Sequence, residues 1–455
     1  MTESWEELKD RAYNQMNRQK SKWFNYKMLM LTGGGIFVDG YNIVIISIGL
    51  AGIKTLFGLQ NDAFLVGLIG VSVIVGNLVG ALFAGYFVDR VGRRLIFLID
   101  LILFVLFAII SGIVTNAYEL VIARFLVGLG IGLDYPIATS YLSEFTPVNP
   151  RGKFLVMNIT FFNIAGVVAV VVGYLLLPIG ATVAWRYMLI SAAIPAIITI
   201  AARIRTPESP RWLLQHGKKK EAIGAIERVT GGSMPADTQK FIMDSNVKPP
   251  VSGYYRELLT KFTKSAIFIG LFYFFFAIAF VNASIYGPSI LASFGEAGLI
   301  GSSLYWILFV VGDIICILVI DTFGRRNSTL TGWAGMLITI VVLALAPANL
   351  KVLSLGAFVL FAMFQGIGPG SLHMVYSPEL FPTRIRATAE GWKQGIGRIG
   401  GVLTGIFFPS LVIGDQLLII ILTCIGGLVL SIMLAPETKK KTLEEISEKG
   451  DIEFA

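Results

Sequence analysis

Apolar and polar positions come in long alternating blocks along this chain, and the apolar blocks have the length of a bilayer crossing. A helix that spans the hydrocarbon core needs about 20 predominantly apolar residues. Runs of that kind lie near 26–52, 63–88, 95–114, 118–142, 154–178 and 186–203. Six more lie near 264–292, 302–322, 328–347, 352–377, 387–412 and 416–435. A polar stretch from Arg203 to Lys264, carrying Lys218-Lys219-Lys220 and Pro249-Pro250, separates the two sets. The pattern predicts an all-α integral membrane protein with twelve transmembrane helices in two six-helix bundles. Its parts are an N-terminal segment (1–25), a first bundle (26–203), a central loop (204–263), a second bundle (264–435) and a tail (436–455).

Charge adds orientation. Alternate connections are basic: Arg90/Arg93/Arg94, Arg151/Lys153, the central stretch, Arg325/Arg326, Arg384/Arg386 and Lys439 to Lys441. The others, such as Thr115–Ala117 and Pro178–Val183, are short and nearly uncharged. The positive-inside rule then places both termini and the central loop in the cytoplasm of a multi-pass cell-membrane protein. The 455 residues are 55% hydrophobic and 15% charged, with a mean hydropathy of +0.74. Soluble domains are about one-quarter charged, so a bilayer is the environment that accommodates this surface. The net charge of +8 sits in the short connections rather than on a polar domain, which argues against nucleic acid as a partner. Cys316 and Cys424 lie far apart in apolar runs, and His216 and His373 are the only histidines, so no disulfide framework, metal site or cofactor is expected. The polar stretch Met1–Lys22 has no apolar core of a cleavable signal peptide.

An internal repeat follows the same division. Gly85-Tyr-Phe-Val-Asp89-Arg90-Val-Gly92-Arg93-Arg94 follows the second run, and Asp321-Thr-Phe-Gly324-Arg325-Arg326 follows the eighth. Aspartate and arginine at helix ends can latch one conformation through charge pairs and helix dipoles. This G-x-x-x-D-R-x-G-R-R pattern and its half-copy resemble the signature of the major facilitator superfamily, over essentially the whole chain. Three further segments resemble its sugar porter and organic ion branch: Pro207-Glu208-Ser209-Pro210-Arg211-Trp212-Leu213, Glu379-Leu-Phe-Pro382-Thr-Arg384-Ile-Arg386, and Pro436-Glu437-Thr438 followed by Thr442-Leu443-Glu444-Glu445-Ile446. The resemblance implies alternating access, with gating by Asp89, Arg90, Arg93, Arg94, Glu144 and Arg151 in the first half. In the second half it implies Asp321, Arg325, Arg326, Glu379 and Arg386.

The pocket positions differ from those of sugar porters. Asn282 and Tyr286 stand where those porters carry an asparagine and a tyrosine, but Phe274–Phe276 replace their paired glutamines. Ile159 stands where a sugar-binding glutamine is expected, with Asn158 and Asn163 nearby, and Met374 stands at a tryptophan position. Charge takes their place. In the eleventh run Glu390, Lys393, Gln394 and Arg398 fall on one face spanning roughly 140° at about 100° per residue. An intramembrane arginine costs about 2.5–3.5 kcal/mol on the insertion scale, so it should face a cavity. This stretch resembles the eleventh helix of aromatic acid:proton symporters, which implies that Arg398, with Lys393, clamps a substrate carboxylate. An internal pair between Lys393 and Glu390 at i, i+3 would leave Arg398 as the free cation.

The first run carries Asp39-Gly40-Tyr41-Asn42, and the fourth carries Arg124 and Gly-x-Asp134-Tyr135-Pro136. Desolvation disfavours an ionised carboxyl while a nearby Arg124 favours it, a balance suited to proton coupling at Asp39 or Asp134. A purely structural Asp39–Arg124 pair is the alternative. Asp39-Gly-Tyr resembles the aromatic acid symporters, and Gly-x-Asp-Tyr-Pro resembles phosphate:proton symporters. Asp313 is expected to meet a basic residue of the eleventh run or a local hydrogen-bonding partner. The resulting expectation is proton-coupled symport of a small organic anion by a monomer in the lipid bilayer, through Arg398, Lys393, Gln394, Asn282, Tyr286 and Asn163. Inorganic phosphate and a neutral sugar or polyol are the alternatives within transport. A nutrient sensor on the same fold would carry a longer tail, and no nucleophile motif or phosphate loop points to an enzyme.

Overall fold

A computed structural model of the chain describes residues 22–91, 93–145, 151–204, 206, 208, 210–230, 232–244, 254–293, 298–347, 350–382 and 385–439. The first half contains α1 (Lys22–Leu56), α2 (Ala63–Val91), α3 (Arg93–Ile113), α4 (Ala117–Phe145), α5 (Arg151–Leu176), α6 (Ala181–Ser191) and α7 (Ala193–Arg203). The central stretch folds into four short helices: α8 (Pro210–Gln215), α9 (Lys219–Thr230), α10 (Ala236–Asp244) and α11 (Tyr254–Lys261). The second half contains α12 (Thr263–Ser293), α13 (Gly298–Phe323), α14 (Arg325–Leu345), α15 (Lys351–Ile367), α16 (Pro369–Leu380), α17 (Arg386–Phe407) and α18 (Ile413–Leu434).

Among the described residues ten helical spans are long and apolar enough to cross a membrane. Side chains such as Leu318, Leu345 and Val352 stand out from the fold, as they do where lipid rather than protein surrounds a helix. The chain is therefore an all-α, multi-pass membrane protein. Two long helices fall outside the ten, and both carry buried charge: α4 with Arg124 and Asp134, and α17 with Glu390, Lys393 and Arg398.

Two of the sequence runs are interrupted. The sixth is split at Ala192, where Pro195 has no N–H to donate back to Ser191. The tenth is split at Gly368, with Pro369 opening α16 at a position that suits proline. A Cβ on Gly368 would sit 2.5 Å from the Cα of Gly332 on α14, so the break occurs where two backbones cross.

Glycine crossings also expose the repeat. In the first half α2 and α4 meet backbone to backbone: a Cβ on Gly76 would overlap the Phe125 carbonyl, and one on Gly128 would overlap that of Val73. In the second half α13 and α15 meet in the same manner through Gly312 on Met363 and Gly366 on Phe309. Small residues at such crossings gain dispersion contact where lipid removes the hydrophobic drive for helix association. Gly128→Val should push α4 off α2, and overpacking of this kind costs about 1–3 kcal/mol. We expect a thermal unfolding midpoint several degrees below wild type in detergent; an unchanged midpoint would show that the crossing tolerates the added methyls.

The helix starts repeat as well. Glu208 accepts the backbone N–H groups of Arg93 (3.1 Å) and Arg94 (3.0 Å) at the start of α3. Glu437 does the same for Arg325 and Arg326, both at 3.1 Å, at the start of α14. Each carboxylate satisfies two orphan donors and meets the positive end of the helix dipole. Arg94 and Arg326 complete the symmetry, donating to the carbonyls of Ile204 (2.9 Å) and Ile432 (3.0 Å). Glu208 and Glu437 thus cap the third helix of each half.

Candidate functional site

Across the halves α17 packs against α2 and α13 against α5, and a central cavity lies between the two sets. In this conformation it is nearly closed, with about 20 Å³ open to a water-sized sphere, so the halves must part before a solute can enter. Tyr135, Phe162 and Asn163 line it from the first half, and Tyr273, Phe276, Phe280, His373 and Arg398 from the second. Its walls are largely aromatic. Phe162 meets Phe280 edge-on at 5.6 Å between ring centres, and the His373 ring stacks on Tyr273 (4.9 Å) and Phe276 (5.3 Å).

Two carboxylates join the halves at this level. Asp39 on α1 accepts the Tyr135 hydroxyl at 2.7 Å and stands 3.8 Å from Arg398 Nη2 on α17. All three side chains are buried, and the Arg398 guanidinium lies over the Tyr135 ring at 5.5 Å. Asp313 on α13 accepts the Asn163 amide at 2.7 Å and the Ser371 hydroxyl at 2.9 Å. Asp313 therefore takes the local hydrogen-bonded role rather than pairing with a basic residue of α17.

Lys393 is 2.7 Å from Glu390, three residues earlier on the same helix, and donates to the His373 carbonyl at 3.0 Å. Gln394 donates to the same Glu390 at 3.0 Å. Each cation of the expected anion clamp, Arg398 and Lys393, thus faces a carboxylate of the protein, because an unpaired charge in this apolar interior would be far costlier than a paired one. Asn282 donates to Thr404 Oγ1 (2.9 Å) and Tyr286 to the Gly405 carbonyl (2.7 Å), both on α17. Neither residue is among those lining the central cavity.

Arg124 does not tune the carboxylates as expected. Asp39 faces Arg398, and Asp134 is held by Arg203, which donates to its two oxygens at 3.0 and 3.2 Å. Arg124 lies ten residues before Asp134, about 15 Å along the helix axis, and its three side-chain nitrogens have no hydrogen-bond partner among the described residues. Arg203 and Asp100 were not singled out in the sequence, since one closes an apolar run and the other sits inside one. His373 follows the break at Gly368 by five residues and lies on the cavity.

At the end bearing the basic connections, Arg325 binds Glu379 at 2.9 and 3.2 Å and Asp321 at 3.3 Å. Thr438 donates to Glu379, and Lys153 on α5 reaches Asp321 on α13 at 3.8 Å, joining the halves. Arg386 donates to the Phe381 carbonyl at 3.4 Å. The side chains of Asp89, Arg90, Glu144 and Arg151 lie outside the described residues.

Residues 27–449 match the family profile described as sugar (and other) transporter. YaaU of Escherichia coli (strain K12), named as a metabolite transport protein, is 32% identical over 430 residues, covering 92% of this chain and 94% of its own. The arabinose-proton symporter of Bacillus subtilis (strain 168) is 28% identical, covering 95% and 96%. The fold superposes on the proton:xylose symporter XylE bound to 6-bromo-6-deoxy-D-glucose with a TM-score of 0.78, at 22% identity, over 93% of this chain and 98% of that one. The inward-open xylose transporter XylE from E. coli gives 0.75 at 23% identity, over 93% and 99%.

Proposed function

Because the chain belongs to the sugar (and other) transporter family of the major facilitator superfamily, a family of secondary active transporters and not of enzymes, we propose that it carries a small neutral, hydroxyl-bearing solute together with a proton. The observation that carries this reading is charge balance at the cavity. Arg398 faces Asp39 and Lys393 faces Glu390, so neither cation is left over for an anionic solute. A carboxylate would have to displace Asp39 from Arg398, whereas a neutral solute needs only the hydrogen-bonding groups of Tyr135, Asn163, Tyr273, His373 and Arg398 set among aromatic walls. The named sugar symporters and transporters among the relatives support the same choice over the organic anion of the sequence reading.

The working cycle follows from the bridge. Twelve spans form two six-helix bundles with the basic connections and both termini in the cytoplasm. With Asp39 ionised, its attraction to Arg398 ties the bundles together at mid-depth. Protonation of Asp39 removes that attraction while the carboxyl keeps its bond to Tyr135, so proton binding and bundle movement are linked through one ion pair. The Lys153–Asp321 contact joins the halves on the cytoplasmic side, and Arg325 holds Asp321 and Glu379 in place within the second half.

An organic anion remains a second reading on one observation: Arg398 Nε has no hydrogen-bond partner among the described residues, so a protonated Asp39 would leave the guanidinium able to take a carboxylate. Uptake into proteoliposomes under an inward proton gradient separates the two, using D-xylose, D-glucose, benzoate and inorganic phosphate. Gradient-driven accumulation of a sugar and not of the acids is expected. Accumulation of benzoate alone, lost in Arg398→Ala, would overturn the neutral-solute reading.

A further inference from the structure

Away from the central cavity, the first half buries a second charged cluster that the transport cycle above does not use. Arg203, at the end of α7, donates Nη1 and Nη2 to Asp134 on α4 and places Nη1 3.6 Å from Asp100 Oδ2 on α3. It also donates to the carbonyls of Leu31 (3.1 Å) and Phe97 (3.2 Å), and its guanidinium lies over the Phe97 ring at 3.3 Å. All three side chains are nearly or fully inaccessible. Two carboxyls therefore share one guanidinium, and with both ionised the cluster carries one uncompensated negative charge among apolar helices.

The two carboxyls differ in their bonding. Asp134 takes the forked pair of N–H groups from Arg203, the geometry a carboxylate favours. Asp100 Oδ1 accepts its neighbour's backbone N–H at 2.6 Å, but Asp100 Oδ2 has no hydrogen-bond partner among the described residues, and Arg203 Nη1 holds the Asp100 and Asp134 carboxyls side by side. Asp100 and Asp134 both line a cavity distinct from the central one, bounded by Gly35, Val38, Phe104 and Gly130. Gly35 is required there, because a Cβ would overlap Asp134 Oδ2 and Arg203 Nη2. Among the described residues the charged groups facing the pair are Arg203 from α7 and, at longer range, Asp39 from α1.

We propose that Asp100 and Asp134 share one exchangeable proton above Arg203, which makes this cluster a proton-binding site separate from Asp39. The proton adds as a hydrogen on Asp100 Oδ2, donated to Asp134, and cancels the surplus charge. Its release leaves two like charges on one guanidinium and favours an opening of α1, α3 and α4 that admits water or a cation. Because Asp39 lies within electrostatic range of Asp134, the state of the cluster biases the bridge to Arg398. That role in transport rests on the proton-coupled reading above, whereas the shared proton does not.

Infrared difference spectra of the purified full-length protein in lipid, recorded on a pH jump, test it directly. Wild type should show the carbonyl band of a protonated carboxylic acid that disappears at alkaline pH. One component of the band should persist in Asp39→Asn and Asp313→Asn and be missing in Asp100→Asn, with one fewer proton released per molecule to a pH indicator. Asp100→Asn keeps the Asp134–Arg203 fork, so the fold is retained; Asp100→Leu checks that loss of the band follows loss of the acid. A difference spectrum and a proton count unchanged in both Asp100 variants would overturn the proposal. Uptake that ignores the proton gradient while the band behaves as expected would count against the transport reading alone.

Discussion

Arg398→Ala should abolish proton-driven accumulation of solute, lowering it by about two to three orders of magnitude. The substitution leaves Asp39 buried without its cation, and breaking a buried pair from one side costs about 3–5 kcal/mol, at roughly tenfold per 1.4 kcal/mol. Asp39 escapes that cost by holding its proton, so the proton no longer enters and leaves with each cycle. Asp39→Asn should lose accumulation for the converse reason, since Arg398 keeps its charge and loses the facing carboxylate. Solute exchange without net proton movement should survive better in Asp39→Asn than accumulation does. The pair is coupled, so the double variant should unfold at a higher temperature than the sum of the single effects implies. Strict additivity of the two unfolding shifts would show that the 3.8 Å contact contributes nothing.

The largest stability effect is expected at Arg203. Arg203→Ala removes the only cation facing Asp100 and Asp134 among the described residues, together with donors to two backbone carbonyls. A loss of at least about 3–5 kcal/mol follows from the stranded charge alone. We expect little folded protein in the membrane, measured as a monodisperse peak after detergent extraction. Adding Asp134→Asn should recover part of that peak, because it removes the charge the arginine balanced. Arg203→Lys should recover less than wild type, since an ammonium cannot reproduce the fork to Asp134 or cover the Phe97 ring as a guanidinium does. Full yield from Arg203→Ala would mean the cluster is not a structural element of the first half.

The helices were legible because lipid imposes a length on apolar segments that a sequence window can measure. The Glu390–Lys393 pair was legible too, since i, i+3 neighbours meet on any helix. What the sequence did not disclose are partners chosen by packing. Arg203 and Asp134 are 69 residues apart, and Asn163 and Asp313 are 150 apart. No spacing rule connects them, so Arg124, nearer in sequence and on the same helix, was the obvious partner for Asp134. The Pro-Glu-Ser motif was visible, but its glutamate caps a helix that starts 115 residues earlier. The tenth run reads as continuous, so the break that brings His373 to the cavity was not expected; the Gly368-Pro369 pair was the available signal for it. The aromatic run at Phe272–Phe276 divides as helical geometry requires: Phe272 packs against Trp333 and Tyr376, while Phe276 faces the cavity.

Solute-induced proton movement tests the central claim most directly. Proteoliposomes without an imposed gradient are given a sugar identified by the uptake panel, and lumenal pH is followed for wild type and Asp39→Asn. The account predicts acidification of the lumen with wild-type protein as the sugar enters, and none with Asp39→Asn although labelled sugar still equilibrates. Equal acidification by both proteins, or sugar entry by wild type with no proton movement, would contradict it.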